Sequence, residues 1–258
     1  MTDTPPGRRP PEFGGERLLV IGTGAIAAMY LPFWLNWLIT AYKSLEVQVV
    51  LTSSAGRFVS AQALSVLLRR EVVMDRWPEE TRPDALHVRL TEWSDSVVVY
   101  PACVNFISRL ALGLADTPAL LALQCTPAPI AVAPSLPPGA MDNPTLQRHL
   151  ATLAERRNVV VSPVQAVTSL TTGRRDAAGA PPLSTLIGML EELRVSLSGE
   201  GPRTAEGSRT AEGSRTAEGS RTAEGSRTAE GPRTAEGSRT AEGSRTAESS
   251  RTAEAEAV

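Results

Sequence analysis

Three small residues near the start of the chain have the spacing of a phosphate-binding turn. Gly22, Gly24 and Ala27 lie in "LLVIGTGAIAAMY" and satisfy the pattern G-x-G-x-x-A directly after an aliphatic run. Glycines let the backbone approach a phosphate closely, and the start of the following helix supplies free N–H groups. The pattern predicts a phosphate-binding strand–helix turn, while a tight turn without any ligand remains the alternative.

A group of hydroxyl side chains follows the next aliphatic run, in "VVLTSSAGRF". A nicotinamide-binding domain needs an Asp or Glu near this point to bind the ribose hydroxyls, but Thr52, Ser53 and Ser54 stand there instead. The missing acid counts against NAD, and Arg57 leaves NADP open. The hydroxyls suit a second phosphate or a polyol, or they cap a helix that starts at Ala55.

A thiol and an amide come together in "VVVYPACVNF", directly after a third hydrophobic run. If that run is a buried parallel strand, Cys103 and Asn105 lie at its carboxyl end, where ligands bind in open α/β sheets. Residue type alone favours Cys103 as a small packing residue rather than a nucleophile. For Asn105, a hydrogen bond within the loop is the plain alternative to a ligand contact.

The chain contains two histidines, His87 and His149. His87 lies in "ALHVRLTEW", shortly before the third hydrophobic run, whereas His149 lies in a segment with helical spacing. An unperturbed imidazole titrates near neutrality and can therefore relay a proton at working pH. His87 is the candidate for that role, although an isolated loop histidine is more often structural.

Short β-branched runs alternate with longer helical patterns along the chain. The predicted strands are 17–21, 47–51, 96–100, 129–133 and 158–161. The predicted helices are 25–42, 55–69, 106–114, 145–157 and 182–196. This alternation predicts a doubly wound α/β domain with a parallel sheet covered on both faces, of the Rossmann or flavodoxin-like kind. Residues 72–93 contain two prolines and many charges, and we expect them to be largely a loop.

The apolar segment "AIAAMYLPFWLNWLITAY" at 25–42 raises the question of a membrane span. A span needs roughly 20 apolar residues, and this segment is interrupted by Pro32 and Asn36. Strand-like runs lie on both sides of it. We therefore expect a helix buried against the sheet or a neighbouring subunit, and no membrane partner.

The end of the chain differs in composition from the rest. Residues 201–254 are nine copies of a hexapeptide, mostly G-S-R-T-A-E, with no large apolar side chain. Such a segment cannot bury enough surface to offset its chain entropy, so we expect disorder over 199–258. A flexible polar leader over 1–15 leaves 16–198 as one domain of ordinary size.

Charge and cysteine content limit the possible partners. The tail holds nine Arg and ten Glu, which leaves 17 basic and 18 acidic residues in positions 1–200. A nearly neutral domain gives no electrostatic case for binding nucleic acid. Two cysteines are too few for a disulfide framework, and we expect a cytoplasmic protein.

With these residues in order, the chain resembles the homo-oligomeric flavin-containing cysteine decarboxylases. That family includes phosphopantothenoylcysteine decarboxylase and the lanthipeptide decarboxylases of the epidermin type. The resemblance covers about residues 16–197. It rests on "GTGAIAA", "LTSSAGRF", the "LH" at 86–87, "PACVNF" with "LGLAD", and "NPTLQRH".

The resemblance implies a bound flavin, normally FMN, with FAD left open by the glycine-rich turn. It places the cofactor-binding residues in the three stretches already described. They are Gly22, Thr23, Gly24, Ala25, Thr52, Ser53, Phe58, Pro101, Ala102, Cys103 and Asn105.

The resemblance also implies the two catalytic residues. The family motif Pro-Ala-Ser-Ala-Asn-Thr corresponds to residues 101–106, where Cys103, Val104 and Phe106 depart from it. In the family the asparagine, here Asn105, contacts the substrate carboxylate, and the histidine that corresponds to His87 handles the proton.

The substrate-binding segment departs most from the family. The motif Pro-x-Met-Asn-x-x-Met-Trp aligns with "PSLPPGAM" at 134–141, in which only the first proline is kept. The residues implied in substrate binding are Pro134, Leu136, Met141 and the nearby Asn143. The segment "SLTTGRRDAAGAPP" lacks the cysteine of the phosphopantothenoylcysteine enzyme, and its "TTGRR" resembles the peptide-processing branch.

The implied reaction is oxidative decarboxylation of the C-terminal cysteine of a precursor peptide to an enethiol, which can then close into an aminovinyl-cysteine ring, as in lantibiotic biosynthesis. The implied assembly is a homo-oligomer of trimers, up to a dodecamer. Phosphopantothenoylcysteine decarboxylation and flavin prenyl transfer are the alternatives within the family. A non-enzymatic regulator is a further alternative, against which the presence of both His87 and Asn105 argues.

Overall fold

The computed structural model describes residues 9–79 and 83–199. The expected tail from 201 onward lies outside the described residues, as do residues 1–8 of the expected leader. Residues 9–15 contact the domain: the Tyr42 hydroxyl donates to the Pro11 carbonyl at 2.8 Å, and the Phe13 ring meets the Tyr42 ring edge-on. Burial, with a contribution from the Glu191 carboxylate, raises the pKa of Tyr42 to about 12, which keeps the phenol protonated as that donor.

Six strands of the described residues form one parallel sheet, and two more form a separate antiparallel hairpin. The sheet strands are β1 (Arg17–Gly22), β2 (Glu46–Leu51), β3 (Val73–Met74), β4 (Ser96–Ala102), β5 (Ile130–Pro134) and β6 (Val159–Val161). The hairpin strands are β7 (Gln165–Val167) and β8 (Ala177–Gly179). The sheet order is β3-β2-β1-β4-β5-β6, which confirms the doubly wound α/β prediction.

Seven α-helices connect these strands within the described residues. They are α1 (Leu31–Ala41), α2 (Ala61–Leu68), α3 (Leu86–Trp93), α4 (Val104–Ala111), α5 (Pro118–Cys125), α6 (Pro144–Ala154) and α7 (Leu183–Gly199). Alternating strand residues divide the core into two layers, because successive side chains point to opposite faces of a sheet. Helices α1, α2 and α7 cover one face, and α3 to α6 cover the other.

The predicted helix at 25–42 is divided into a 3₁₀ turn at Ile26–Tyr30 and α1. Pro32 lies in the first turn of α1, a position that proline tolerates because its missing N–H has no helical partner there. Helix α1 packs Leu31, Trp34, Leu35 and Leu38 into the core. No helix among the described residues is long and apolar enough to cross a membrane.

The prediction that 72–93 is largely a loop was wrong at both of its ends. Strand β3 pairs with the end of β2, and the last eight residues form α3. Helix α5 was also missed, although Thr117 caps it and Pro118 occupies its first turn. The prolines and charges in the middle of 72–93 led to the loop prediction. Strand β3 has only two residues, too few to show the alternating pattern of a strand.

Candidate active site

The carboxyl ends of β1 and β4 are adjacent, and they mark the point where the strand order reverses. From β1 the chain continues to β2 on one side, while β4 lies on the other side of β1. In open α/β sheets this arrangement opens a crevice between the two strand ends, and ligands bind there. The glycine-rich turn and the "PACVNF" stretch therefore meet at one place, as the sequence predicts.

Thr23 joins the two strand ends directly. Its hydroxyl donates to the carbonyl of Pro101 at 2.6 Å and accepts from the N–H of Cys103 at 2.8 Å. The Thr23 side chain is fully buried. Because both hydrogen-bonding directions of the hydroxyl are used inside the protein, Thr23 positions the two loops relative to each other.

The loop after β2 packs tightly on the glycine-rich turn. A Cβ atom on Gly24 would lie 2.4 Å from Ser54 Oγ and 2.5 Å from Ser54 Cβ, so this position has room only for hydrogen. The N–H of Thr52 donates to the carbonyl of Gly22 at 3.0 Å. The second glycine therefore serves the contact between two loops, whatever it also offers to a ligand.

Of the three hydroxyl side chains after β2, two make contacts within the protein, and the third is exposed to solvent. Thr52 Oγ1 lies 3.2 Å from Ser54 Oγ and accepts from the N–H of Ala55 at 3.3 Å. This bond lies at the start of a 3₁₀ turn, because the predicted helix at 55–69 is broken and α2 begins after Ser60. Ser53 and Phe58 remain exposed beside the turn.

Asn105 lies in the first turn of α4, not in the loop that the sequence suggested. Cys103 is the residue before this helix, and Phe106 fills the core where the family motif has a threonine. The Asn105 side chain is exposed and makes no hydrogen bond within the described part of the chain. Its amide is therefore available to a ligand in the crevice.

His87 lies on α3 and not in a loop, which corrects the second part of the loop prediction. Its Nδ1 atom is fully buried and has no hydrogen-bond partner among the described residues. The ring of Trp77 contacts the imidazole edge-on, with centroids 5.8 Å apart. No hydrogen bond in the described structure joins His87 directly to Asn105.

The four predicted substrate residues follow β5. Pro134 pairs with Ala102 of β4, so the end of β5 adjoins the crevice. Leu136 is buried and bridges to Ala178 of β8 through two backbone hydrogen bonds. Met141 packs on the core, and Asn143 accepts from the N–H of Thr145 as the cap of α6. Each of the four thus has a structural contact, and their substrate role stays a prediction.

The sequence analysis did not single out Trp77, which contacts His87, or three residues of the surrounding hydrogen-bond and ion-pair contacts, Asp75, Arg109 and Asp116. Asp75 is buried, and its carboxylate accepts from the N–H of Ala119 at 2.9 Å. Burial raises the pKa of Asp75, against the opposing effect of that hydrogen bond. The hydrogen bond from Arg109 lowers the pKa of Asp116. The only sequence signal for these residues was that Asp75 and Trp77 follow two valines, as residues at the end of a strand would. We did not use this signal because we expected the segment to be a loop.

The residues at the crevice fit a flavin better than a nicotinamide nucleotide. The loops at the strand ends carry the exposed Ser53 hydroxyl and Asn105 amide, and no acid directly follows β2. Arg57 lies at the end of the 3₁₀ turn and adds a positive charge near the hydroxyl loop. This donor set suits a phosphate ester on a polyol chain.

Comparisons with known proteins agree with this geometry. The model of the family described as Flavoprotein matches residues 8–193. Cypemycin cysteine dehydrogenase (decarboxylating) from a Streptomyces species is 35% identical over 152 residues, which are 59% of this chain and 78% of that protein. The coenzyme A biosynthesis bifunctional protein CoaBC of Bacillus subtilis (strain 168) is 32% identical over 118 residues, 46% of this chain and only 29% of its own length.

Solved structures show the same fold. The crystal structure of the cypemycin decarboxylase CypD is 30% identical and has a TM-score of 0.60, covering 74% of this chain and 98% of that chain. The FMN-dependent cysteine decarboxylase SpaF is 23% identical with a TM-score of 0.56, covering 67% of this chain and 96% of that chain.

Proposed function

The chain belongs to the flavoprotein family, and we propose that it is an enzyme that oxidatively decarboxylates the C-terminal cysteine of a peptide with the help of bound FMN. The observation that carries this proposal is the crevice between β1 and β4, where Thr23 fixes the glycine-rich turn against the stretch that bears Asn105. The similarity to cypemycin cysteine dehydrogenase supports the choice of reaction.

The residues of the first two loops would hold the cofactor. The glycine-rich turn and Ser53 offer N–H and hydroxyl donors to the phosphate end, and the exposed Phe58 ring offers an apolar contact. When bound, the flavin supplies the oxidation that converts the cysteine Cβ–SH unit into a thioaldehyde. The protein therefore needs only to orient the substrate and to manage its carboxylate and its protons.

Asn105 and His87 would do that work. The amide of Asn105 donates to the substrate carboxylate and holds it in position until it leaves as carbon dioxide. The electron pair left behind is accepted by the thioaldehyde carbon–sulfur bond, which gives an enethiolate. The His87 imidazole supplies or removes the proton at sulfur, the role that a positioned histidine commonly takes in general acid–base catalysis.

The substrate side of the site favours a peptide. The β7–β8 hairpin is tied to the segment after β5 by the bridge between Leu136 and Ala178, so it stands next to the crevice. Its connecting loop carries the exposed Arg174 and Arg175. This hairpin gives an extended chain a surface to lie against, and the enethiol product could then close into an aminovinyl-cysteine ring.

An apolar stripe supports a homo-oligomer. Ile26, Met29 and Tyr30 of the 3₁₀ turn and Phe33 of α1 recur at helical spacing, and each is between 43% and 58% exposed. Exposed side chains at this spacing form a continuous apolar patch, and such patches mark subunit contacts. We therefore propose that copies of this chain meet there, as in the trimers and dodecamers that the resemblance implies.

Mass spectrometry tests the proposed reaction. The purified protein is incubated with a synthetic peptide that ends in cysteine, and with phosphopantothenoylcysteine in a parallel reaction. The expected result is a peptide product lighter by one carbon dioxide and two hydrogens, and no product from a peptide whose C-terminus is an amide. Turnover of phosphopantothenoylcysteine alone would overturn the proposal and favour the activity suggested by the similarity to CoaBC.

A further inference from the structure

The imidazole of His87 lacks the usual means of orientation. Catalytic histidines are commonly held by a hydrogen bond at one ring nitrogen, which fixes the tautomer and the ring plane. Here Nδ1 is buried and has no such partner among the described residues. The orientation of the ring must therefore come from packing, and the aromatic ring that packs against it is that of Trp77.

One hydrogen bond holds the indole of Trp77, and another anchors the chain two residues before it. Its Nε1–H donates to the carbonyl of Asp116 at 2.9 Å. Its backbone follows Asp75 by two positions, and the buried Asp75 carboxylate accepts from the N–H of Ala119 at the start of α5. The Trp77 side chain is 45% exposed although a hydrogen bond fixes its position. Hydrophobic burial alone does not explain why an indole is held at this place.

The contacts of Trp77 also extend to α4, the helix that carries Asn105. The Asp116 carboxylate pairs with the guanidinium of Arg109 at 2.6 Å. Arg109 is on α4, four residues after Asn105, and therefore about one helical turn away. A line of contacts thus runs from α4 through Asp116 and Trp77 to His87.

We infer that Trp77 is the positioning residue of the active site: its indole sets the plane of the His87 ring and keeps that ring in register with α4. The inference rests on the proposed role of His87 in the reaction. With Nδ1 enclosed, the fixed ring presents Nε2 as the nitrogen that meets the substrate. Without the indole, the imidazole can rotate, and its Nε2 atom is no longer held in position to transfer a proton to or from the substrate.

The test uses Trp77→Leu, which removes the ring, and Trp77→Phe, which keeps a ring and loses only the bond to Asp116. We expect kcat to fall by about tenfold to a hundredfold in the leucine variant and by less in the phenylalanine variant, with KM changed little. Trp93→Phe is the matched control, because Trp93 is on α3 with His87 but contacts Arg70 instead of the imidazole. Thermal melting of each variant reports whether it is folded.

A second readout does not depend on turnover. In a His149→Gln background, His87 is the single histidine left, so its rate of modification by diethyl pyrocarbonate reports on it alone. We expect that rate to rise several-fold in Trp77→Leu and to stay at the parent value in Trp93→Phe. An unchanged modification rate together with an unchanged kcat would overturn the inference. If the parent protein turns over no peptide, the proposed function fails, while the modification rates still decide whether Trp77 positions the imidazole.

Discussion

At the scale of single residues, the proposed proton chemistry falls on one of the two histidines. His87 is partly enclosed on α3 next to Trp77, whereas His149 Nδ1 lies 3.0 Å from the hydroxyl of Ser108 in the contact between α6 and α4. We expect His87→Gln to lower the rate of peptide decarboxylation by about a hundredfold, the usual contribution of one general acid or base.

His149→Gln is the control for that variant, since it makes the same substitution at a histidine that serves packing. Its rate should equal that of the parent protein. If His87→Gln also turns over peptide at the parent rate, the proton role of His87 is wrong and another group must supply it.

Asn105 permits a test of charge at the same scale. Its amide is exposed and makes no hydrogen bond inside the described chain, so a substitution removes no structural contact. Asn105→Asp keeps the shape and places a negative charge opposite the substrate carboxylate. We expect kcat/KM to fall by about a hundredfold and by more than in Asn105→Ala, as measured with a cysteine-ended peptide. Equal activity of the aspartate variant and the parent would show that this amide does not face the carboxylate.

At the scale of the elements, the contact between the first two loops decides whether the crevice exists. Gly24→Ala puts a methyl group 2.4 Å from Ser54 Oγ, so the loop after β2 must move away from the loop after β1. We expect a loss of about 1–3 kcal/mol in the free energy of unfolding and weaker flavin retention, as measured by thermal melting and by flavin absorbance per chain.

The same contact offers a rescue. Both close atoms belong to the side chain of Ser54, and the nearest backbone atom lies at 3.4 Å. The double variant Gly24→Ala with Ser54→Gly should therefore recover stability and flavin content, relative to Ser54→Gly alone. A double variant as impaired as Gly24→Ala would mean that steric crowding is not the reason for the glycine.

The elements also show what sequence could and could not predict. Five strands were located because each is a short β-branched or aliphatic run, whereas the strand order that places the switch point between β1 and β4 came from the structure. Strand β3 and helix α3 were missed, since β3 has two residues and α3 begins without a capping side chain. His87 was therefore singled out because its position in the sequence matches that of the family's histidine, and not because a helix was predicted there. The contact of Trp77 with His87 could not be predicted from the sequence, because the indole is held by Asp116, a residue distant in sequence.

At the scale of the whole molecule, the apolar stripe before and within α1 predicts assembly. Phe33 is 58% exposed in the monomer, and a charge at its position would be buried in a subunit contact. We expect Phe33→Glu to reduce the mass measured by light scattering, with an unchanged far-UV spectrum. Val195→Glu is the matched control, since Val195 is a similarly exposed apolar residue on α7. Equal masses for Phe33→Glu and the parent would place the subunit contact elsewhere.

The central claim is that the crevice between β1 and β4 holds a flavin, and the absorption spectrum of the purified full chain tests it most directly. We expect a yellow protein that shows the visible flavin bands and releases FMN on denaturation, in an amount close to one per chain. A colourless protein that takes up neither FMN nor FAD when either is added would contradict it.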